Sequence, residues 1–273
     1  MYIRWLATLL LSVLWTSSGF AQSVWNFQWE KGQTLTYKVQ HLTNVAEVVD
    51  KNKSESNSTL HLVKRWQVTD VDSKGIATLS MSLIAMRNEQ KRTNGETLFY
   101  DSQNEDKSTP GLRDQMRKYI GTTLAVLRVD RFGRVIETKL GSAVRYEAEP
   151  PFGIVLPAGK IEAGQTWRRP YTIVMEPPHG TGEKYQAEHL YVCKKIDAAR
   201  GTVALSTQFK TKPDNLFDRL PLLQKDARGE VVFDLQKGRV AAIHLSIDET
   251  IENHQGKGSS YHFQSQYRET LVE

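Results

Sequence analysis

Apolar and polar residues alternate with a period of two along much of this chain. Ala77, Leu79, Met81 and Leu83 alternate with Thr78, Ser80 and Ser82, the pattern of a strand with one wet face. Val203, Leu205 and Phe209 face inward on the same logic, with Thr207 as a polar inward position. Ile243, Leu245 and Ile247 alternate with His244, Ser246 and Asp248, and Tyr261, Phe263 and Tyr267 alternate with His262, Gln264 and Arg268. Turn chemistry punctuates these runs. Asp72 to Gly75, Asp130 to Gly133 and Gln236 to Gly238 place glycine where a tight hairpin needs positive φ. Longer polar tips are expected at Asp50–Ser58, Glu176–Glu183 and Glu252–Ser259. The hairpin-upon-hairpin rhythm predicts antiparallel sheet.

One clear helix interrupts the pattern. Ser108 or Thr109 can cap it, Pro110 suits the first turn, and Leu112, Met116 and Tyr119 or Ile120 fall at helical spacing. A shorter counterpart is expected from Pro213 to Leu220, stopped by Pro221.

The segments also repeat. Glu30–Thr34 recurs as Glu162–Thr166, and Gly75–Ser80 recurs as Gly201–Ser206. Pro110–Asp114 has an echo in Pro213–Asp218, and Asp130–Val135 matches Asp234–Val240 with one inserted residue. The common order of these matches predicts a tandem duplication. The fold expected is mainly β, with two related curved antiparallel sheet units, residues 22–140 and 162–273, each carrying one short helix. Residues 141–161, with Pro150, Pro151 and Pro157, are the connector. The first copy is expected to carry the longer loops, chiefly around residues 84–108. Whether the units form two sub-domains or one continuous sheet is open at this level.

Residues 1–21 have the pattern of a signal peptide. Arg4 is followed by the apolar run Leu6 to Trp15, then Thr16-Ser17-Ser18 and the small-residue site Gly19-Phe20-Ala21. The run is short of the roughly 20 residues a membrane helix needs, and no later stretch is more apolar. No cysteine follows it, which excludes a lipobox. The mature protein is thus expected to begin near Gln22 and to work in the periplasm or outside the cell, without a lipid anchor or a transmembrane span.

Composition then narrows the classes. The chain has 273 residues and a net charge of +5, from 36 Lys and Arg against 31 Asp and Glu. So small an excess argues against a nucleic-acid binder. Without residues 1–21 the charge is +4, all of it in the first copy, so weak attraction to an anionic envelope surface is one expectation. The single cysteine, Cys193, excludes a disulfide framework and reads as a buried thiol in the strand-like run Leu190–Cys193.

Searches for chemistry identify no catalytic motif. The seven histidines contain no HExxH spacing, GxSxG is absent, and Gly180–Lys184 lacks the spacing of a phosphate loop. No metal ligand set and no cofactor is implied. His61, His244 and His262 fall on the wet faces of their strands. Trp66 and Trp167 are large aromatics at strand positions, and Tyr100-Asp101-Ser102 has no counterpart in the second copy. Trp66, Tyr100, Asp101 and Trp167 are therefore the candidate ligand contacts.

Gly32 before a Thr- and Tyr-rich strand, Trp66 through Gly75, Tyr100-Asp101-Ser102, Asp130-x-x-Gly133-x-Val135, and Leu156-Pro157 with Gly164-Gln165-Thr166-Trp167 follow in succession. In this succession the chain resembles a family of exported bacterial envelope proteins of unknown function. The resemblance implies an envelope setting and supplies no activity or cofactor. Three readings follow. The first is a non-enzymatic envelope protein whose curved sheets hold an apolar or amphipathic, lipid-like ligand. The second is an interaction scaffold. The third is a hydrolase with a site in residues 97–138, which would need Asp101, Asp130 and histidine side chains to converge.

Overall fold

The structure is a computed structural model that describes residues 24–140, 150–178 and 180–272. The proposed signal peptide, residues 141–149 of the connector, and His179 lie outside the described residues. The described residues are mainly β, with 58% strand against 9% helix. The first half runs β1 (Thr34–Val49), β2 (Asn52–Val71), β3 (Ala77–Arg92), β4 (Thr97–Asp101), α1 (Pro110–Met116), β5 (Thr123–Val129) and β6 (Val135–Leu140). The second runs β7 (Thr166–Val174), β8 (Lys184–Ile196), β9 (Arg200–Phe209), α2 (Leu216–Leu223), β10 (Arg228–Asp234), β11 (Arg239–Glu252) and β12 (Ser260–Val272).

Among the described residues these strands make one antiparallel sheet in the order β6-β5-β3-β2-β1-β12-β11-β10-β9-β8-β7, with β4 added beside β3. The expected two sheet units are thus parts of a single sheet, because β12 lies between β11 and β1 and pairs with both. The sheet is also curled. Eight strand spacings separate β5 from β8, roughly 38 Å if the sheet were flat. Yet Leu127 and Val129 of β5 share one core with Tyr191 and Cys193 of β8.

Two non-strand segments fill that curl. Residues 25–29 bring Trp25, Phe27 and Trp29, and residues 152–156 bring Phe152, Ile154 and Leu156. Phe27 stacks on Trp29 at 5.1 Å and meets Phe152 at 5.6 Å and Phe233 at 5.2 Å. Glycine permits this packing. A side chain at Gly201 would run into the Trp25 ring, and Gly133, at φ +82°, lies beneath Phe27. Residues 155–156 also bridge the two sheet edges. Leu156 N–H donates to Phe132 O at the β5–β6 turn, and the Trp167 indole N–H on β7 donates to Val155 O.

The repeated sequence segments adopt matching local structures. Gly32 N–H donates to Val68 O and Val68 N–H to Gln33 O; Gly164 N–H donates to Cys193 O and Cys193 N–H to Gln165 O. The turn aspartates act alike, since Asp72, Asp130, Asp197 and Asp234 each accept two backbone N–H bonds through Oδ1.

Three local expectations change. Residues 84–101 are not a loop: β3 continues to Arg92 and turns through Gly95 into β4. The tip expected over Asp50–Ser58 shrinks to Asp50 and Lys51, the rest being β2. Both segments are polar, but strand neighbours satisfy their backbone groups, and that outweighs composition. Finally, Pro221 does not stop α2, which continues to Leu223. Buried Leu222 holds the last turn down, and Gln224 and Lys225 N–H close tight bonds onto Pro221 and Leu222.

Candidate functional site: a cleft on the concave face

The centre of the concave face is not filled. A cleft of about 410 Å³ opens there, floored by β1, β2, β11 and β12 and bordered by Pro150 and Pro151. Ile243, Leu245 and Ile247 of β11 make an apolar wall. Alternation on β12 brings Ser265, Tyr267 and Glu269 to the same face, and register sets His41 of β1 opposite Tyr267.

Glu269 is the unusual member, a carboxylate only 1% exposed. Tyr267 OH donates to its Oε2. Lys64 Nζ stands 2.8 Å from Oε1, and its side chain is 15% exposed. The ammonium thus faces Oε1 while the tyrosine hydroxyl serves Oε2, so the buried charge is met on both oxygens. Burial, then the Glu269 charge, pushes the Tyr267 hydroxyl far above its ordinary value, which keeps it a donor. On the other side of Tyr267, His41 Nε2 shares a 2.8 Å hydrogen bond with Ser265 Oγ, and burial lowers the histidine below its ordinary value. The cleft therefore combines a neutral imidazole and a hydroxyl with a carboxylate paired to an ammonium.

None of the four sequence candidates lines this cleft. Trp66 is buried against Phe152, with its ring 5.6 Å away. Tyr100 is fully buried in β4. The Asp101 carboxylate accepts the Gln103 N–H and so stabilises its own turn. Trp167 stacks on Tyr191 at 5.4 Å on the β7 edge. Asp130 is likewise held in its turn by Phe132 and Arg134 N–H, and Glu137 faces Arg128 at 3.4 Å. Among the described residues no three His, Cys, Asp or Glu side chains gather as a metal-binding group, and no helix is long and apolar enough to cross a membrane. Cys193 is free and buried, and burial raises its thiol above the ordinary value. The signal for the cleft was present in the sequence: extending the alternation of Tyr261, Phe263 and Tyr267 puts a carboxylate, Glu269, on a core face.

No protein-family model and no curated protein matches the chain. Among solved structures, that of DynF from the dynemicin biosynthesis pathway of Micromonospora chersina aligns over 93% of this chain and 88% of that chain, at 7% identity and a TM-score of 0.23. A likeness at that score carries no inference about either fold or chemistry.

Proposed function

We propose that this protein is a non-enzymatic binding protein that holds a lipid-like amphipathic molecule in the concave cleft. The observation that carries the reading is the cleft itself, in which an apolar wall of Ile243, Leu245 and Ile247 faces a polar end made by His41, Ser265 and the Lys64–Glu269 pair. A ligand hydroxyl would bond at this polar end while its hydrocarbon covered Leu245 and Ile247. The pairing of Lys64 with Glu269 leaves the polar end close to neutral, which favours an uncharged head group. The pattern of residues 1–21 supports a site of action outside the cytoplasm. The matching turns of the two halves support descent from a duplicated unit whose copies merged into one sheet.

Binding is tested with monocaprin, an uncharged short-chain monoglyceride, added to delipidated protein under native mass spectrometry. A one-to-one adduct is expected, and it should be lost in Leu245→Trp, which fills the cleft. Thermal melting of that variant checks its folding. No adduct with the parent protein, or an equal adduct with a folded Leu245→Trp, would overturn the reading.

A further inference from the structure

The antiparallel order of the strands collects half of the connections at one end of the sheet. Residues 30–33 before β1, 72–76 between β2 and β3, 130–134 between β5 and β6 and 160–165 before β7 lie there. So do residues 197–199 between β8 and β9 and 235–238 between β10 and β11. Backbone bonds join them into one rim. Phe27 N–H donates to Arg131 O, Gln28 N–H to Gly238 O and Leu235 N–H to Ala199 O. Trp25, Phe27 and Phe152 pack behind the rim and close that end of the curl.

The rim is basic. Residues 30–33, 72–76, 130–134, 160–165, 195–200 and 234–239 hold nine Lys and Arg against six Asp and Glu. Four of the six carboxylates, those of Asp72, Asp130, Asp197 and Asp234, turn back onto backbone N–H groups of their own turns. Lys74, Arg131, Arg134, Lys160, Lys195 and Arg200 are exposed and make no ion pair among the described residues. The guanidinium groups of Arg131 and Arg134 stand 4.9 and 5.2 Å from the one Phe132 ring. Val24, itself exposed, is joined to Lys160 by a β-bridge. At the opposite end of the sheet the charges pair off instead, Lys53 with Glu55 and Arg92 with Glu96.

We propose that this rim docks the protein onto an anionic phospholipid surface. Attraction of cations to such a surface adds residue by residue and needs no shared pocket, only that the cations reach one plane. The rim meets that condition, because its six unpaired cations come from four connections at the same end of the sheet. Val24 and Phe132 set apolar groups among them, which suits the head-group layer. A nucleic-acid duplex is gripped by a dense basic track, and the carboxylates interleaved in the rim interrupt one. The aromatic plug separates the rim from the central cleft. Docking therefore leaves the cleft open, and the proposal does not rest on the function proposed for it.

The test is co-sedimentation of the full chain with vesicles of phosphatidylglycerol and phosphatidylcholine in equal parts, against vesicles of phosphatidylcholine alone. The neutral vesicles measure whatever the apolar run in residues 1–21 contributes. Binding to the mixed vesicles should be about tenfold tighter at ~50 mM salt and should fall toward the neutral value at ~500 mM. Arg131→Glu combined with Arg134→Glu should remove most of that excess. Lys53→Glu combined with Lys257→Glu changes the net charge equally at the opposite end and should leave the excess intact. Thermal melting checks that both double variants are folded. Equal binding to the two kinds of vesicle, or equal losses in the two double variants, overturns the proposal. Release of the protein from mixed vesicles by duplex DNA at equal phosphate concentration overturns it in favour of a nucleic-acid partner.

Discussion

Lys64 and Glu269 place a charge pair where most of the surrounding surface is apolar. Removing one partner from a buried pair leaves the other charge uncompensated, which typically costs about 3–5 kcal/mol, whereas replacing both with apolar groups is often neutral. Lys64 keeps some contact with solvent, so Lys64→Met is expected to destabilise the protein by about 3 kcal/mol. Adding Glu269→Leu should recover most of that loss. Urea unfolding of the two single variants and the double variant measures the coupling. Additive losses would show that the pair is not coupled. The same pair illustrates what the chain alone discloses at this scale. Alternation puts Glu269 on the inner face, but its partner lies some 200 residues away, and only the pairing of β1 with both β2 and β12 brings Lys64 beside it.

At the scale of elements, α2 is held by one fully buried side chain, Asp218. Its carboxylate accepts from Thr181 N–H at 2.8 Å and from Tyr185 OH at 2.7 Å, and also from the Thr181 hydroxyl. Asn215 caps the helix by accepting the Asp218 N–H at 2.8 Å. Burial by itself would raise the Asp218 carboxyl, but these hydrogen bonds outweigh it and hold the group below its ordinary value. Asp218 thereby ties α2 to the β7–β8 connection and presses Leu222 onto Tyr171, Ile173 and Tyr185. Asp218→Asn replaces a charged acceptor with a neutral one and should cost about 1–3 kcal/mol. Hydrogen exchange should then quicken in residues 180–185 and in α2 before it changes in β1 or β2. A uniform change across the sheet would count against a local tie. A short helix from Pro213 was legible as the echo of the one after Pro110. Its passage through Pro221 was not, because burial of Leu222 decides it.

For the molecule as a whole, the titrating groups set a pH window. The folded value of His41 lies below its ordinary 6.5, so its contribution is complete above pH 6.5 and is lost as pH falls through the lower folded value. Asp72, Asp218 and Asp248 are also lowered from 3.8, which adds a second loss at more acid pH. Cys193 is raised above 9.0 and Tyr37 and Tyr267 above 10.0, chiefly by burial, so stability should fall again from about pH 9 upward. The urea midpoint is expected to be flat between about pH 6.5 and 9, with the first acid loss reduced in His41→Gln. A midpoint that rises on acidification from pH 6.5 would contradict this assignment. By itself the sequence determined the antiparallel β class, the inward faces of the strands, the Asp-led turns and the buried cysteine. Each follows from contacts within a few residues, where period and turn geometry leave little choice. Tertiary structure alone decided that the two halves of the chain form a single curled sheet, with an aromatic plug at its centre and a polar-ended cleft. These depend on which distant strands pair and how far the sheet bends, and local periodicity carries no information about either.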